Sequence, residues 1–343
     1  MPFHAPLPFR KVRELVSEAG FDDCGFARAE PIPPGFLAQW VDAGMAADMD
    51  WYTKRIAERL DVRKLLPTAK TVLALAANYY VKDPATESSP IARYARGRDY
   101  HATLQDRMRT LRRLLRETFP GVEMYQSVDH GPCLEKVWAA RAGLGFVGKN
   151  GCLITPKFGS YVVLCVLILD TDAEVLAEGP TADVCGKCRL CIEACPTDAI
   201  TSERQVDARK CISYLTIENE GAVPDPLAGQ LSGWVFGCDT CQTVCPLNDA
   251  PLAAKGERFA PRAVAALSVE QIAAMTPEEY AALVPGTALG RAQYGGLRRN
   301  AVYALGAAGA VEARPLLERL RTDADERVRV AAEWALGRLA PAP

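Results

Sequence analysis

Histidine is scarce in this chain. His4, His101 and His130 are the three present, which argues against a histidine-rich metal site. Long apolar runs are missing as well. The longest, Tyr161–Leu169, is closed by Asp170 and falls short of the about 18 residues a membrane helix needs. The first eleven residues carry no apolar signal region, no cleavage site and no twin-arginine pair. The expectation is a cytoplasmic protein with no membrane partner. Charge of one sign is absent too: 40 Lys and Arg stand against 42 Asp and Glu. No global field draws the chain to a polyanion, so any such contact must use a local patch. No G-x-G-x-x-G follows a predicted strand and no Walker A run occurs, which leaves a Rossmann nucleotide site unsupported.

What is present is an ordinary globular composition, 49% apolar and 24% charged, over 343 residues. That length favours two or three domains. Twelve cysteines are the outlier, and eight of them fall between Cys185 and Cys245. Disulfide scaffolds are usually short secreted chains, so clustered thiols in a long chain of the reducing cytosol read as metal ligands.

Apolar spacing predicts a helix over residues 8–19, stopped by Gly20, and a second over 36–44. A long basic helix is expected over 103–119 and another over 134–142, ended by Gly143 and Gly145. Strands are expected at 21–27, 71–77 and 122–128. A strand pair is expected from 152–155 and 161–169 across the turn 156–159. The alternation argues for an α/β domain over 1–175. A polar linker follows, then a cysteine-rich domain over 176–255 and an Ala- and Leu-rich end over 256–343. That end repeats itself: Leu297–Gly306 matches Val328–Gly337, with Ala301, Ala304 and Leu305 against Ala332, Ala335 and Leu336. Such a repeat suggests HEAT-like helix pairs that pack on the rest of the chain.

The run Cys185-x₂-Cys188-x₂-Cys191-x₃-Cys195-Pro196 has the spacing of bacterial two-cluster ferredoxins. A second run, Cys238-x₂-Cys241-x₃-Cys245-Pro246, lacks one position, which Cys211 must fill. In such folds the last cysteine of each run crosses to the other cluster. Two 4Fe–4S clusters are then held by Cys185, Cys188, Cys191 and Cys245, and by Cys195, Cys211, Cys238 and Cys241. Two zinc sites are the alternative, but zinc prefers paired C-x₂-C ligands. The remaining Cys24, Cys133, Cys152 and Cys165 read as small buried hydrophobes.

The densest polar segment, Val128–Lys136, lies at the expected carboxyl end of a strand, where α/β folds keep their sites. On composition alone Asp129 reads as a turn residue or helix cap. The Gly-rich stretches 143–150 and 158–161 would let backbone approach a large flat ligand. Eight arginines lie between Arg93 and Arg116, and Arg291, Arg298 and Arg299 form a second group. A solvated face explains either group; together they would bracket a phosphate backbone.

With these pieces assembled, the chain resembles the epoxyqueuosine reductases, cobalamin-dependent enzymes of the last step of queuosine synthesis in tRNA. The likeness is carried by Arg96–His101, Val128-Asp129, Ala142–Gly145, Gly148–Asn150, Gly159–Tyr161 and the eight cysteines. It continues through Arg209–Thr216, Gly237–Cys241, Arg299–Ala301 and the terminal repeat. The resemblance implies an α/β cobalamin-binding domain, a ferredoxin-like domain with two clusters and a C-terminal α-helical HEAT-like repeat. It implies reduction of epoxyqueuosine to queuosine at the wobble position of the anticodon. The clusters would feed base-off cobalamin to give cob(I)alamin, and an external carrier such as ferredoxin or flavodoxin would feed the clusters. A monomer is the family's expectation.

Asp129 matches the family's acid, which protonates the departing oxygen, with a pKa raised by burial. Arg59, Leu153, Leu164, Ile212, Ser213 and Asp239 match positions that contact the corrin or its tail, several through backbone or apolar surface. The lack of a D-x-H-x-x-G motif fits the base-off state. Ala92 stands where some members have a thiol, and His130 where a small polar residue is expected. Two rivals share parts of this pattern. A cobalamin-dependent reductive dehalogenase would resemble exported proteins and lack the helical tail. A plain electron-transfer module would not need Asp129 or the Gly-rich loops.

Overall fold

The computed structural model describes residues 5–129, 131–174 and 179–339. His130, and the part of the expected linker at 175–178, lie outside the described residues.

The first half is built on a four-stranded sheet. Its strands are β1 (Asp23–Arg28), β2 (Thr71–Asn78), β3 (Met124–Val128) and β6 (Val162–Leu169), in the order β1-β2-β6-β3. Helices cover both faces. On one side α1 (Phe9–Glu18) and α3 (Tyr100–Thr118) pack Val12, Leu15, Leu104 and Met108 against Phe26, Leu73, Leu75 and Leu167. On the other, α2 (Gly35–Asp42) and α4 (Glu135–Arg141) bring Leu37 and Trp138 against Val72, Ala74 and Ile168. Successive residues of β2 therefore face opposite cores, and all eight are buried.

The sheet with helices on both faces is the α/β layering expected, and every neighbouring pair in it is antiparallel. An unbroken apolar strand is usual in parallel sheets because both faces are covered. Here the cover is the same and the direction differs, so the apolar run reported burial rather than orientation.

The expected pairing of 152–155 with 161–169 is corrected. Strand β5 (Leu153–Ile154) pairs with β4 (Phe146–Val147), and only a Thr155–Gly159 bridge remains of the predicted hairpin. Gly145 makes the alternative possible: a Cβ there would lie 2.1 Å from the Ile154 carbonyl oxygen. The backbones close to a distance only glycine allows.

In the cysteine-rich segment a short β7–β8 hairpin (Ile200–Ser202 and Gln205–Val206) leads to Cys211, and α5 (Ile212–Ile217) starts directly after it. The C-terminal part comprises α6 (Val269–Ala274), α7 (Pro277–Leu283), α8 (Gln293–Ala307), α9 (Arg314–Leu320) and α10 (Glu326–Arg338). The two repeated stretches lie in α8 and α10, which pack together. A Cβ on Gly306 would meet the Ala335 Cβ at 2.6 Å. This core also takes in Ile91, Ile212, Leu215, Val235 and Phe236, so the helical end is rooted in the cysteine-rich segment.

Of the second arginine group, Arg298 and Arg299 are buried and do not face outward as a phosphate clamp, while Arg291 stays exposed. Arg299 is 1% exposed and donates to the carbonyls of Leu215 and Asn219 at 3.0 and 2.7 Å. Arg298 is buried on the Ala273 carbonyl and Asp323, and Arg291 pairs with Glu218 at 2.6 Å. Backbone carbonyls take up the donors of Arg299, and a carbonyl and a carboxylate those of Arg298. In the first group Arg96 is likewise buried on the Ile91 carbonyl. No helix among the described residues is long and apolar enough to cross a membrane.

Candidate active site

Asp129 follows β3 directly and adopts φ 50°, a left-handed conformation that Asp tolerates better than most residues. It is not a helix cap, since α4 begins only at Glu135. Its side chain is 52% exposed. Hydrogen bonds do the positioning. Tyr100 Oη donates to Asp129 Oδ2 at 2.7 Å, and His101 Nε2 lies 3.0 Å from the same oxygen. The other ring nitrogen of His101 lies 2.9 Å from Asp99 Oδ1.

The local sequence explains this placement. Asp99 caps α3 by accepting from the His101 backbone N–H at 2.9 Å. That cap puts Tyr100 and His101 in the first turn, where their rings stack with centroids 4.0 Å apart. Burial pulls the His101 imidazole down, but its bonds to Asp129 and Asp99 outweigh this and hold it up at about 9. An imidazolium donating from both nitrogens therefore bridges two carboxylates near neutral pH.

Arg59 supports the loop that follows. It is 3% exposed, and its guanidinium donates to the carbonyls of Tyr52 at 2.9 Å and of Gly131 and Cys133 at 3.4 Å. Its guanidinium carbon also sits 4.2 Å from the centre of the Tyr52 ring. The loop crosses β3 tightly: a Cβ on Gly131 would lie 2.0 Å from Ser127 Oγ. Beneath this crossing Ser127 Oγ donates to Glu135 Oε1 at 3.1 Å. Burial pushes the Glu135 carboxyl up to about 8, with the Asp129 charge adding to the shift. Neither Glu135 nor the Tyr100–His101 pair was singled out as chemical from sequence. The available signal was Asp99 capping a helix with a histidine two residues on.

The thiols fall into two groups. Cys185, Cys188, Cys191 and Cys245 line one cavity of about 100 Å³ together with Ile154, Val184, Leu190 and Leu247. Cys188 is exposed. In the other group Cys195 acts on Cys211, Cys211 on Cys238, and both Cys211 and Cys238 on Cys241. Among the described residues no three His, Cys, Asp or Glu side chains converge closely enough to hold a single ion. A tetrahedral zinc site needs such convergence; thiols on the walls of a cavity suit a larger inorganic core. Asp239 braces the turn between Cys238 and Cys241, accepting from the Arg93 backbone N–H at 2.7 Å and from Gln242 Nε2 at 3.0 Å.

Cys24, Cys133 and Cys165 are buried as expected of small hydrophobes. Cys152 departs from that expectation: it is half-buried, and Asn150 ties it to Cys241, accepting from the Cys152 backbone N–H at 3.1 Å and donating to the Cys241 carbonyl at 3.4 Å. Of the other matched positions, Leu153, Ile212 and Asp239 are each 2% exposed, while Leu164 and Ser213 are half-buried. Ala92 is packed against Gly237, next to Cys238.

Comparison with known proteins adds the following. The family model described as epoxyqueuosine reductase QueG, DUF1730 matches residues 59–130, and that of a 4Fe-4S double cluster binding domain matches residues 184–248. The epoxyqueuosine reductase of Leadbetterella byssophila is 38% identical over 86% of this chain and 97% of its own length. That of Gloeobacter violaceus is 38% identical over 87% and 96%. A crystal structure of epoxyqueuosine reductase with an epoxyqueuosine-modified tRNA-Tyr stem loop superposes with a TM-score of 0.87 at 30% identity, covering 96% of this chain and 89% of that one. The Bacillus subtilis enzyme, solved with its catalytic aspartate loop swung out of the active site, gives 0.87 at 29% identity, covering 97% and 90%.

Proposed function

The chain belongs to the epoxyqueuosine reductase family, and on that premise we propose that it reduces epoxyqueuosine to queuosine at the wobble position of tRNA anticodons. The dehalogenase alternative has no comparable full-length support. The observation that carries the reading is the presentation of Asp129: half exposed, left-handed, and held on one oxygen by Tyr100 and His101.

An epoxide oxygen leaves poorly as an alkoxide, so a proton must reach it as the carbon–oxygen bond breaks. Asp129 is placed to deliver that proton, which His101 hands to Asp129 Oδ2. Tyr100 fixes which oxygen faces the substrate. Arg59 acts through the loop: its buried guanidinium locks the carbonyls of Gly131 and Cys133. The Bacillus subtilis relative was solved with its catalytic aspartate loop swung out of the active site, and the loop that follows β3 with Asp129 would be its counterpart here.

Base-off cobalamin would suit the donor set here. His101 has both ring nitrogens committed to Asp99 and Asp129, so it would not serve as a metal ligand. Leu164 and Ser213 would meet the corrin with side-chain surface; Leu153, Ile212, Asp239 and Arg59 would act through backbone or as support. When bound, the cofactor supplies a reduced cobalt centre nucleophilic enough for an epoxide carbon.

Cys185, Cys188, Cys191 and Cys245 would hold an outer 4Fe–4S cluster, which an external carrier such as ferredoxin or flavodoxin reduces. Cys195, Cys211, Cys238 and Cys241 would hold an inner one beside Cys152. The chain would work as a monomer in the cytoplasm, with the tRNA anticodon presented to Asp129. The test is anaerobic turnover of epoxyqueuosine-containing tRNA by protein reconstituted with iron, sulfide and cobalamin. Nucleoside mass spectrometry should register the loss of one oxygen; no loss with all cofactors bound would refute the reading.

A further inference from the structure

Removing the epoxide oxygen breaks both of its bonds to carbon and forms a carbon–carbon double bond, and the oxygen departs as water. The balance is two electrons, supplied singly by the external carrier, and two protons. The Asp129–His101 pair accounts for the first proton. The second must arrive at the same oxygen within the same turnover.

We infer that Glu135 stores this second proton and passes it to the Asp129 carboxylate, acting through Asp129 rather than by touching the substrate. The inference rests on the reductase reading and on geometry. Glu135 opens α4 beneath the loop that carries Asp129. Ser127 holds its carboxyl by a 3.1 Å bond, and Gly131 brings the loop against that same Ser127. The Asp129 charge is felt at Glu135.

Among the described residues, the groups facing Glu135 leave it without a competitor. Cys133 from the loop is pushed up to about 12 by burial, and Cys165 from β6 well above the ordinary thiol range. Burial also raises Tyr52. Asp129 apart, Glu135 is thus the neighbour that changes charge near neutrality, since burial lifts it to about 8. Below that value it carries a proton that an ordinary surface glutamate would have lost.

The test uses the holoenzyme and Glu135→Gln, which keeps an acceptor for Ser127. Infrared titration of the wild type should show one carboxyl band lost near pH 8, and Glu135→Gln should lack it. In turnover, Glu135→Gln should lower kcat by about tenfold or more with KM unchanged, and abolish the inflection near pH 8. Glu135→Asp should restore part of the rate. Equal melting temperatures and cluster absorbance would exclude a folding defect as the cause of a lower rate. A band that persists in Glu135→Gln, or a variant with wild-type kcat across the pH range, would overturn the inference. A wild type that shows the band yet never reduces the tRNA would overturn the reductase reading and this inference together.

Discussion

Two carboxylates around one imidazole define the chemistry at the level of single residues. Asp129→Asn keeps the shape and the bond from Tyr100 but removes the acid. Turnover should fall by about 10²–10⁴, the usual worth of a positioned general acid, while cluster absorbance stays unchanged. Retained turnover would remove Asp129 from the essential chemistry. His101 also links protonation to stability. Its folded value of about 9 lies above the unfolded value of 6.5. The bridge therefore stabilises the fold in full below the unfolded value and is lost as pH rises through about 9. Thermal melts of wild type and His101→Gln should differ most at about pH 6 and converge by about pH 10. A gap that widened with pH would mean that the imidazole is neutral in the folded protein.

Among the elements, the positions that matter are those where two backbones nearly touch. Gly131 lets the Asp129 loop cross β3, and a methyl group there would collide with Ser127 Oγ. Gly131→Ala should displace the loop and reduce turnover with little effect on iron content. Gly306 does the corresponding work between α8 and α10, and Gly306→Val should overpack that contact. The expected cost is about 1–3 kcal/mol in denaturant unfolding, with no change in cluster absorbance. Elements of this kind were partly legible in advance. The periods of α1, α3 and α4 and the runs of β2 and β6 follow directly from apolar spacing. Strand direction was not legible, because cover on both faces produces the same pattern in parallel and antiparallel sheets. The partner of β5 was hidden for a related reason: Gly145 permits a backbone approach that no side chain records.

At the scale of the molecule, the spacing of the cysteines carried information that arginine counting did not. Thiols are matched by fixed intervals, whereas a buried arginine such as Arg299 is indistinguishable in sequence from a solvent-facing one until the carbonyls around it are known. The two thiol groups also differ in place. One lines a cavity with Cys188 exposed; the other is deeper, beside Cys152. Electrons entering from an external donor should meet the outer group first and reach the site through the inner one. Cys211 is the member of the inner group that lies outside both motif runs, and α5 starts directly after it. Cys211→Ser should lower bound iron from about eight to about four per chain. Paramagnetic resonance should still detect the outer cluster on reduction, yet turnover of the tRNA should stop because the path is cut. If both clusters survive, Cys152 is the replacement ligand to test, since Asn150 ties it to Cys241. The double variant Cys211→Ser with Cys152→Ala should then lose the inner cluster. Retention of both clusters even there would mean that the inner cluster is not held as the two runs imply.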